Sequence, residues 1–234
     1  NWQDPRSGEL TRGYREWGYL PDALLNFLAF LGWNPGTEQE LFSLDELTAA
    51  FSLGRIGKAG AKFDIHKAQW FNQQYLRKKS DGELAEMLLN QLKTAGITCT
   101  PEKALLVVKA MRDRITFPQE LLDHARFFFE DPATYDAQVV AKKFNAQAGA
   151  VLLAYAGALS DIRELNATAA QAAFEMVCTA AGIKTGQVLQ LLRVCITGLA
   201  GGPDLMLTIE IIGGAVAANR INTALTAFNS TTAA

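Results

Sequence analysis

Long apolar runs are missing from this sequence. Nothing in its 234 residues approaches the ~18 consecutive apolar positions of a membrane-spanning helix. The stretches Leu105–Val108 and Ala150–Leu159 suit buried helices instead. Cysteine is scarce. Cys99, Cys178 and Cys195 are widely spaced, odd in number and without a CxxC pair, which argues for reduced thiols rather than a disulfide framework. With only His66 and His124 beside them, no zinc-ligand spacing can be written. The phosphate-cradling and nucleophile signatures GxxxxGK[ST], GxGxxG and GxSxG are also missing. The carboxylate pairs Asp45/Glu46 and Glu130/Asp131 are sequence neighbours, which do not face one another on a helix, so they read as caps and solvated ends. The start, Asn1-Trp2-Gln3-Asp4-Pro5, has neither the basic opening nor the apolar centre of a signal peptide. Without an initiator Met, the chain reads as cut or processed.

What is present is helix signal almost throughout. Nearly half the residues are apolar, ample for packed cores. Residues 1–18 are polar and turn-rich and read as a loop. Tyr19-Leu20-Pro21-Asp22 opens a helix that carries Leu24, Leu25, Phe27, Leu28 and Leu31 and stops at Gly32. Ser43-Leu44-Asp45-Glu46 and Ser80-Asp81-Gly82-Glu83 are capping-box patterns. Between them, Gly57 to Gly60 reads as a flexible connection. The segment 64–76 places Ile65, Ala68, Asn72 and Tyr75 on one face, and Trp70 and Tyr75 are assigned to the core. Thr100-Pro101 and Phe117-Pro118 open further helices, the second ending in Phe127-Phe128-Phe129. Glu130-Asp131-Pro132 looks like a boundary. Ala-rich helices follow at 136–146, 147–159, 166–181, 185–198 and 203–216, with more helix to about 228 and a frayed tail from Asn229. The fold class expected is all-α, a multi-lobed helical bundle.

The net charge of −2 hides an uneven distribution. Arg55, Lys58, Lys62, Lys67, Arg77, Lys78 and Lys79 stand against Asp64 alone, a local excess of six positive charges. A basic stretch on an otherwise acidic chain suits a polyanion approached from one side. A solvated face without function is the plainer alternative. Composition and periodicity by themselves support an all-α binding module and leave two classes open: a nucleic-acid-recognition module, or a helical protein-interaction scaffold.

Three blocks carry a resemblance. Gly18-Tyr19-Leu20-Pro21-Asp22-Ala23-Leu24-Leu25-Asn26-Phe27-Leu28-Ala29-Phe30-Leu31-Gly32-Trp33 closely resembles a signature of bacterial glutamyl-tRNA synthetases. Phe63-Asp64 and Lys67, then Trp70, Asn72 and Tyr75, resemble a second, although Ala68 departs from the usual Leu. Ile183-Lys184-Thr185-Gly186-Gln187-Val188, Leu192-Arg193, Thr197-Gly198 and Gly202-Pro203 resemble the family's C-terminal segment. The blocks lie in the family's order and cover nearly the whole chain.

The resemblance implies a linker at 1–18 just after the absent ATP loop, a stem-contact domain at 19–79, and anticodon-binding subdomains at 80–131 and 132–234. The catalytic motifs lie upstream of this chain in the family, so ATP and Mg belong to the parent enzyme, and this fragment is expected to hold no cofactor and to be inactive alone. The partner implied is tRNA-Glu, met by a cytoplasmic, monomeric protein that binds neither DNA nor membrane. By the resemblance Arg114 faces the third anticodon base, and Arg193 lies near the first two, in a pocket lined by Thr197, Gly202 and Leu205. Gly202 stands where family members often have Thr. The basic residues 55–79 would meet the tRNA backbone. The chemistry at Arg114 is direct. Cytosine offers acceptors on its Watson–Crick edge where guanine offers donors, and a guanidinium has donors only. Arg114 thus implies acceptance of the C that ends a glutamate anticodon and rejection of the G that ends a glutamine one.

Overall fold

The computed structural model describes residues 2–58 and 60–232. The expected linker and the expected flexible connection therefore fall partly outside the described residues, at Asn1 and Ala59. The described residues form thirteen α-helices and one two-stranded ribbon. The ribbon corrects the reading of 1–18 as loop: Trp2–Gln3 (β1) pairs antiparallel with Leu10–Thr11 (β2), and a one-turn helix, Tyr14–Trp17 (α1), follows. Its turn is closed by Asp4, whose N–H donates to Glu9 O at 2.8 Å and whose C=O accepts from Gly8 N at 2.8 Å. Turn-rich polar sequence is what a tight hairpin needs, so the composition that suggested a loop suited the ribbon equally.

The first lobe holds α2 (Pro21–Ala29), α3 (Leu44–Ala50) and α4 (Ile65–Lys78). α2 begins on a proline whose missing N–H costs nothing there. Ser43 and Glu46 cap α3 reciprocally, at 3.3 and 2.7 Å. Two small clusters fill the lobe: Tyr19, Phe27, Ala68 and Phe71, and then Trp33, Phe42 and Leu47. Two buried asparagines tie its irregular segments. The Asn26 side-chain oxygen accepts from Phe42 N at 2.9 Å and from the Tyr75 hydroxyl at 2.8 Å. Burial, then the charges of Asp22 and Glu46, push the Tyr75 phenol up to about 12. Trp70 corrects its assignment to the core: it is 37% exposed, its ring edge-on to Phe71 at 5.1 Å.

The remaining helices share one core. They are α5 (Asp81–Thr94), α6 (Pro101–Met111), α7 (Glu120–Ala125), α8 (Ala137–Lys143), α9 (Ala146–Asp161), α10 (Ala167–Ala180), α11 (Thr185–Thr197), α12 (Leu205–Ile212) and α13 (Gly214–Thr232). α13 carries backbone helix past Asn229 to Thr232, where fraying was expected; Ala233 and Ala234 of that tail lie outside the described residues. α5 packs on α6, α9 on α13 and α10 on α12. One buried cluster runs from Leu76 at the end of α4 to Phe228 on α13. It continues across Glu130–Pro132, where the sequence suggested a boundary. The buried Arg220 of α13 reaches that crossing and donates to Phe127 O, Ile196 O and Glu130 O at 2.6, 2.9 and 2.7 Å, and to the Asp131 carboxylate at 2.7 Å.

The second capping box carries a pH signature. Glu83 accepts from Ser80 N at 2.8 Å, and that bond, then the Ser80 hydroxyl and Lys79, hold its carboxyl down at about 2. A depressed folded value stabilises fully above the ordinary glutamate range and is lost as pH falls toward the folded value. Urea titrations at pH 6 and pH 3 should therefore show a smaller loss of stability for Glu83→Gln than for the parent chain. An equal loss in both would remove Glu83 from the acid limb.

Candidate nucleic-acid interface

The cations of the basic stretch are spread along the fold. α4 rises about 1.5 Å per residue, so Lys67 and Lys78 stand roughly 16 Å apart along its axis. Most of these cations already have partners. Lys67 pairs with Glu40 at 2.9 Å and lies over the Phe30 and Phe71 rings, and Lys79 pairs with Glu83 at 3.1 Å. Arg77 lies 3.6 Å from Asp113, Lys78 sits 5.2 Å over the Tyr75 ring, and Arg55 donates to Pro35 O. Lys58 and Lys62 are exposed, with no hydrogen bond or ion pair among the described residues. The local charge excess seen in the sequence is thus reduced by carboxylates at 40, 83 and 113, which lie outside the window that was counted. What remains is a stripe rather than a patch.

A second cationic feature is sharper. The chain leaves α6 through a single 3-10 turn, Arg112–Arg114. Its two arginines behave oppositely. Arg112 turns inward and donates to Asp81, to Arg77 O at 2.7 Å and to Lys79 O at 3.0 Å. Arg114 is exposed and makes no hydrogen bond or ion pair among the described residues. Arg193, on the last turns of α11, comes close enough to feel it. Burial pushes the Arg193 guanidinium below its ordinary value, Asp204 opposes the shift, and the positive charge of Arg114 adds to it. Two like charges whose fields overlap raise the local positive potential, which favours an electron-rich ligand.

The loop after α11 shapes the Arg193 side of this feature. Arg193 Nη1 donates to Pro203 O at 2.7 Å, which pins the guanidinium on the loop. A Cβ at Gly202 would stand 3.0 Å from that same nitrogen. Gly202 offers backbone alone, and the guanidinium occupies the space a side chain would take. Thr197 is buried; its hydroxyl donates to Arg193 O at 2.8 Å and accepts from Leu199 N at 3.2 Å, so it closes the turn rather than facing outward. Leu205 is 3% exposed and belongs to the core, where it anchors the start of α12. The apolar side chain that the loop does present is Leu199, 52% exposed, which sequence reasoning passed over. Its signal was weak: a single leucine before Ala200-Gly201-Gly202 belongs to no periodic face.

Two family models match the chain. That described as "Anticodon binding domain" covers residues 83–225, and that described as "tRNA synthetases class I (E and Q), catalytic domain" covers residues 6–70. The first includes Arg114, Arg193 and the loop between α11 and α12, and it spans more than half of the chain. The chain belongs to the anticodon-binding-domain family. Relatives named "Glutamate--tRNA ligase" agree with that. The one from Amoebophilus asiaticus is 44% identical over 224 residues, which is 96% of this chain and 44% of that protein. The one from Cytophaga hutchinsonii is 43% identical over 226 residues, with the same coverages. Among solved structures, a glutamate tRNA ligase from Elizabethkingia meningosepticum, in complex with its amino acid, aligns with a TM-score of 0.90 at 33% identity, covering 97% of this chain and 45% of that one. The chain thus spans under half the length of the relatives it matches. Arg114 and Arg193 both fall in the first matched segment; of the basic stripe, Arg55, Lys58, Lys62 and Lys67 fall in the second, and Arg77, Lys78 and Lys79 lie between the two.

Proposed function

We propose that this chain is the tRNA-recognition part of a glutamate–tRNA ligase, which joins glutamate to tRNA-Glu at the expense of ATP with Mg, and that the domain reads the glutamate anticodon. The observation that carries the reading is Arg114, an exposed guanidinium with no hydrogen bond or ion pair among the described residues, whose positive charge reaches Arg193. An exposed arginine whose donors have no partner among the described residues has its hydrogen-bonding capacity available for a ligand. Arg114 meets the last anticodon base and Arg193 the first two, across the backbone of Gly202. Thr197 and Leu205 act from inside, by holding the loop that carries Gly202. Lys58, Lys62 and the stripe from Lys67 to Lys79, with Arg55, follow the phosphate backbone. The parent enzyme works as a monomer in the cytoplasm, a reducing setting in which three free cysteines are stable.

The test is binding of fluorescent tRNA-Glu transcripts ending their anticodon in C or in G, at two salt concentrations. The expected result is a C preference of about five-fold or more, lost in Arg114→Ala, since a good donor–acceptor match at one base is worth roughly 1–3 kcal/mol. Affinity for both transcripts should fall with salt as counterions return to the phosphates. Binding that ignores both salt and anticodon would replace this reading with the scaffold.

A further inference from the structure

The Arg114 side chain has no partner among the described residues, but the backbone that carries it is held. The turn is held from both sides. Upstream, Arg112 fastens it to Asp81 and to the carbonyls of Arg77 and Lys79. Downstream, Ile115 is fully buried and Thr116 is gripped twice. Its N–H donates to the Glu120 carboxylate at 2.5 Å, joined there by Phe117 N at 3.0 Å, and its C=O accepts from Asn72 Nδ2 at 2.6 Å. Asn72 lies on α4, in the other lobe, and has no exposed surface. Its Oδ1 accepts from Leu20 N at 2.8 Å, and its Nδ2 also lies 3.4 Å from Gly18 O. One buried amide therefore joins three chain segments: 18–20, α4, and the strand of backbone two residues beyond Arg114.

Resting on the reading of Arg114 as the reader of the last anticodon base, we infer that Asn72 and Glu120 are specificity-determining positioning residues for that base. An arginine discriminates donors from acceptors only while its fork keeps a fixed height and direction against the base edge. A long side chain on a mobile turn would reach C and G alike, because it could re-aim or admit a bridging water. The clamps remove the backbone part of that freedom before the tRNA arrives, so the ordering cost at binding falls only on the side chain. Asn72 also makes the position of Arg114 depend on Gly18–Leu20, at the start of the signature that opens α2. The last anticodon base and the N-terminal lobe thereby share one hydrogen-bonding centre.

The experiment compares the C-over-G preference of the chain with that of Asn72→Ser, Glu120→Ala and Arg114→Ala, at a temperature where circular dichroism shows all four folded. Glu120 is half-buried and its removal leaves two N–H groups that water can reach, so this variant answers the question if Asn72→Ser does not fold. The expected result is a fall in the preference of roughly two- to thirty-fold in each clamp variant, the range typical of residues that transmit coupling without touching ligand. The dependence of log affinity on log salt should stay as in the parent chain, since no phosphate contact is lost. A merely structural role would lower the melting temperature and leave the preference alone. Clamp variants that keep the full C preference, while Arg114→Ala loses it, overturn the inference and leave Arg114 as reader. A parent chain without any C preference overturns the reading of Arg114 and the inference with it.

Discussion

Arg220→Ala is expected to lower the stability of the helical domain by about 3–5 kcal/mol, the cost of dismantling a buried charged group together with its hydrogen-bonding network. Arg220 is 3% exposed, and its guanidinium satisfies the carbonyls of Phe127, Glu130 and Ile196 as well as the Asp131 carboxylate. Truncation would strand those carbonyls, two of which are in buried bonds, and open a cavity under the crossing of 127–131 over α11. Arg220→Lys should recover less than half of the loss, because one compact ammonium cannot span four acceptors that a planar fork reaches at once. Urea titration followed by circular dichroism reads both changes, with an unaltered slope as the sign that the unfolding transition is the same. A midpoint for Arg220→Ala matching that of the parent chain would mean that water replaces the guanidinium at little cost.

Gly198→Val should come second, at about 3 kcal/mol or more. Gly198 ends α11 with φ +79°, where a branched side chain is strained. An added Cβ would meet Thr134 O at 2.5 Å and Pro132 Cβ at 3.2 Å, and the oxygen is backbone that cannot swing aside. The same segment is held to this turn by Asp136 N, which donates to Gly198 O at 3.0 Å. The informative control is Gly182→Ala. Gly182 has φ +69° with nothing within 4 Å of its added Cβ, so it isolates the conformational part, about 1 kcal/mol. If the two glycine variants lose equal stability, the close approach of 132–134 is not what fixes glycine at 198. Because the turn leads into Leu199–Gly202, the valine variant should, on the proposed function, also weaken tRNA binding in proportion to the displacement of Arg193.

Much of this architecture was legible in the residues, for reasons that differ from place to place. Helix starts were readable because caps are local: Ser43/Glu46, Ser80/Glu83 and Thr100-Pro101 act within four residues of themselves. Asn72 was placed on the inner face of α4 by spacing, but its three partners lie 44 to 54 residues away, and periodicity carries no information about them. Arg220 was invisible for the same reason. In Ala218-Asn219-Arg220-Ile221 a lone arginine on a helix reads as solvated, and only the fold brings Phe127, Glu130 and Ile196 around it. Trp70 was misplaced because helical spacing identifies a face, not whether another element covers it. The basic stretch from Arg55 to Lys79 was a true count along the chain and a poor one in space. Arg114 and Arg193 were picked out by likeness to a family, and no pattern within the sequence brings residues 79 positions apart to one surface.

The two arginines of the turn after α6 divide their tasks: Arg112 is bonded into the fold, and Arg114 makes no hydrogen bond or ion pair among the described residues. A residue with no folding duties is one that selection can exchange at small cost. If Arg114 reads the last anticodon base as proposed, the letter read is separable from the apparatus that holds the reader, and Arg114 could change while Arg112, Asn72 and Glu120 stay as they are. Engineered changes of tRNA identity should start at that single side chain and leave its neighbours untouched.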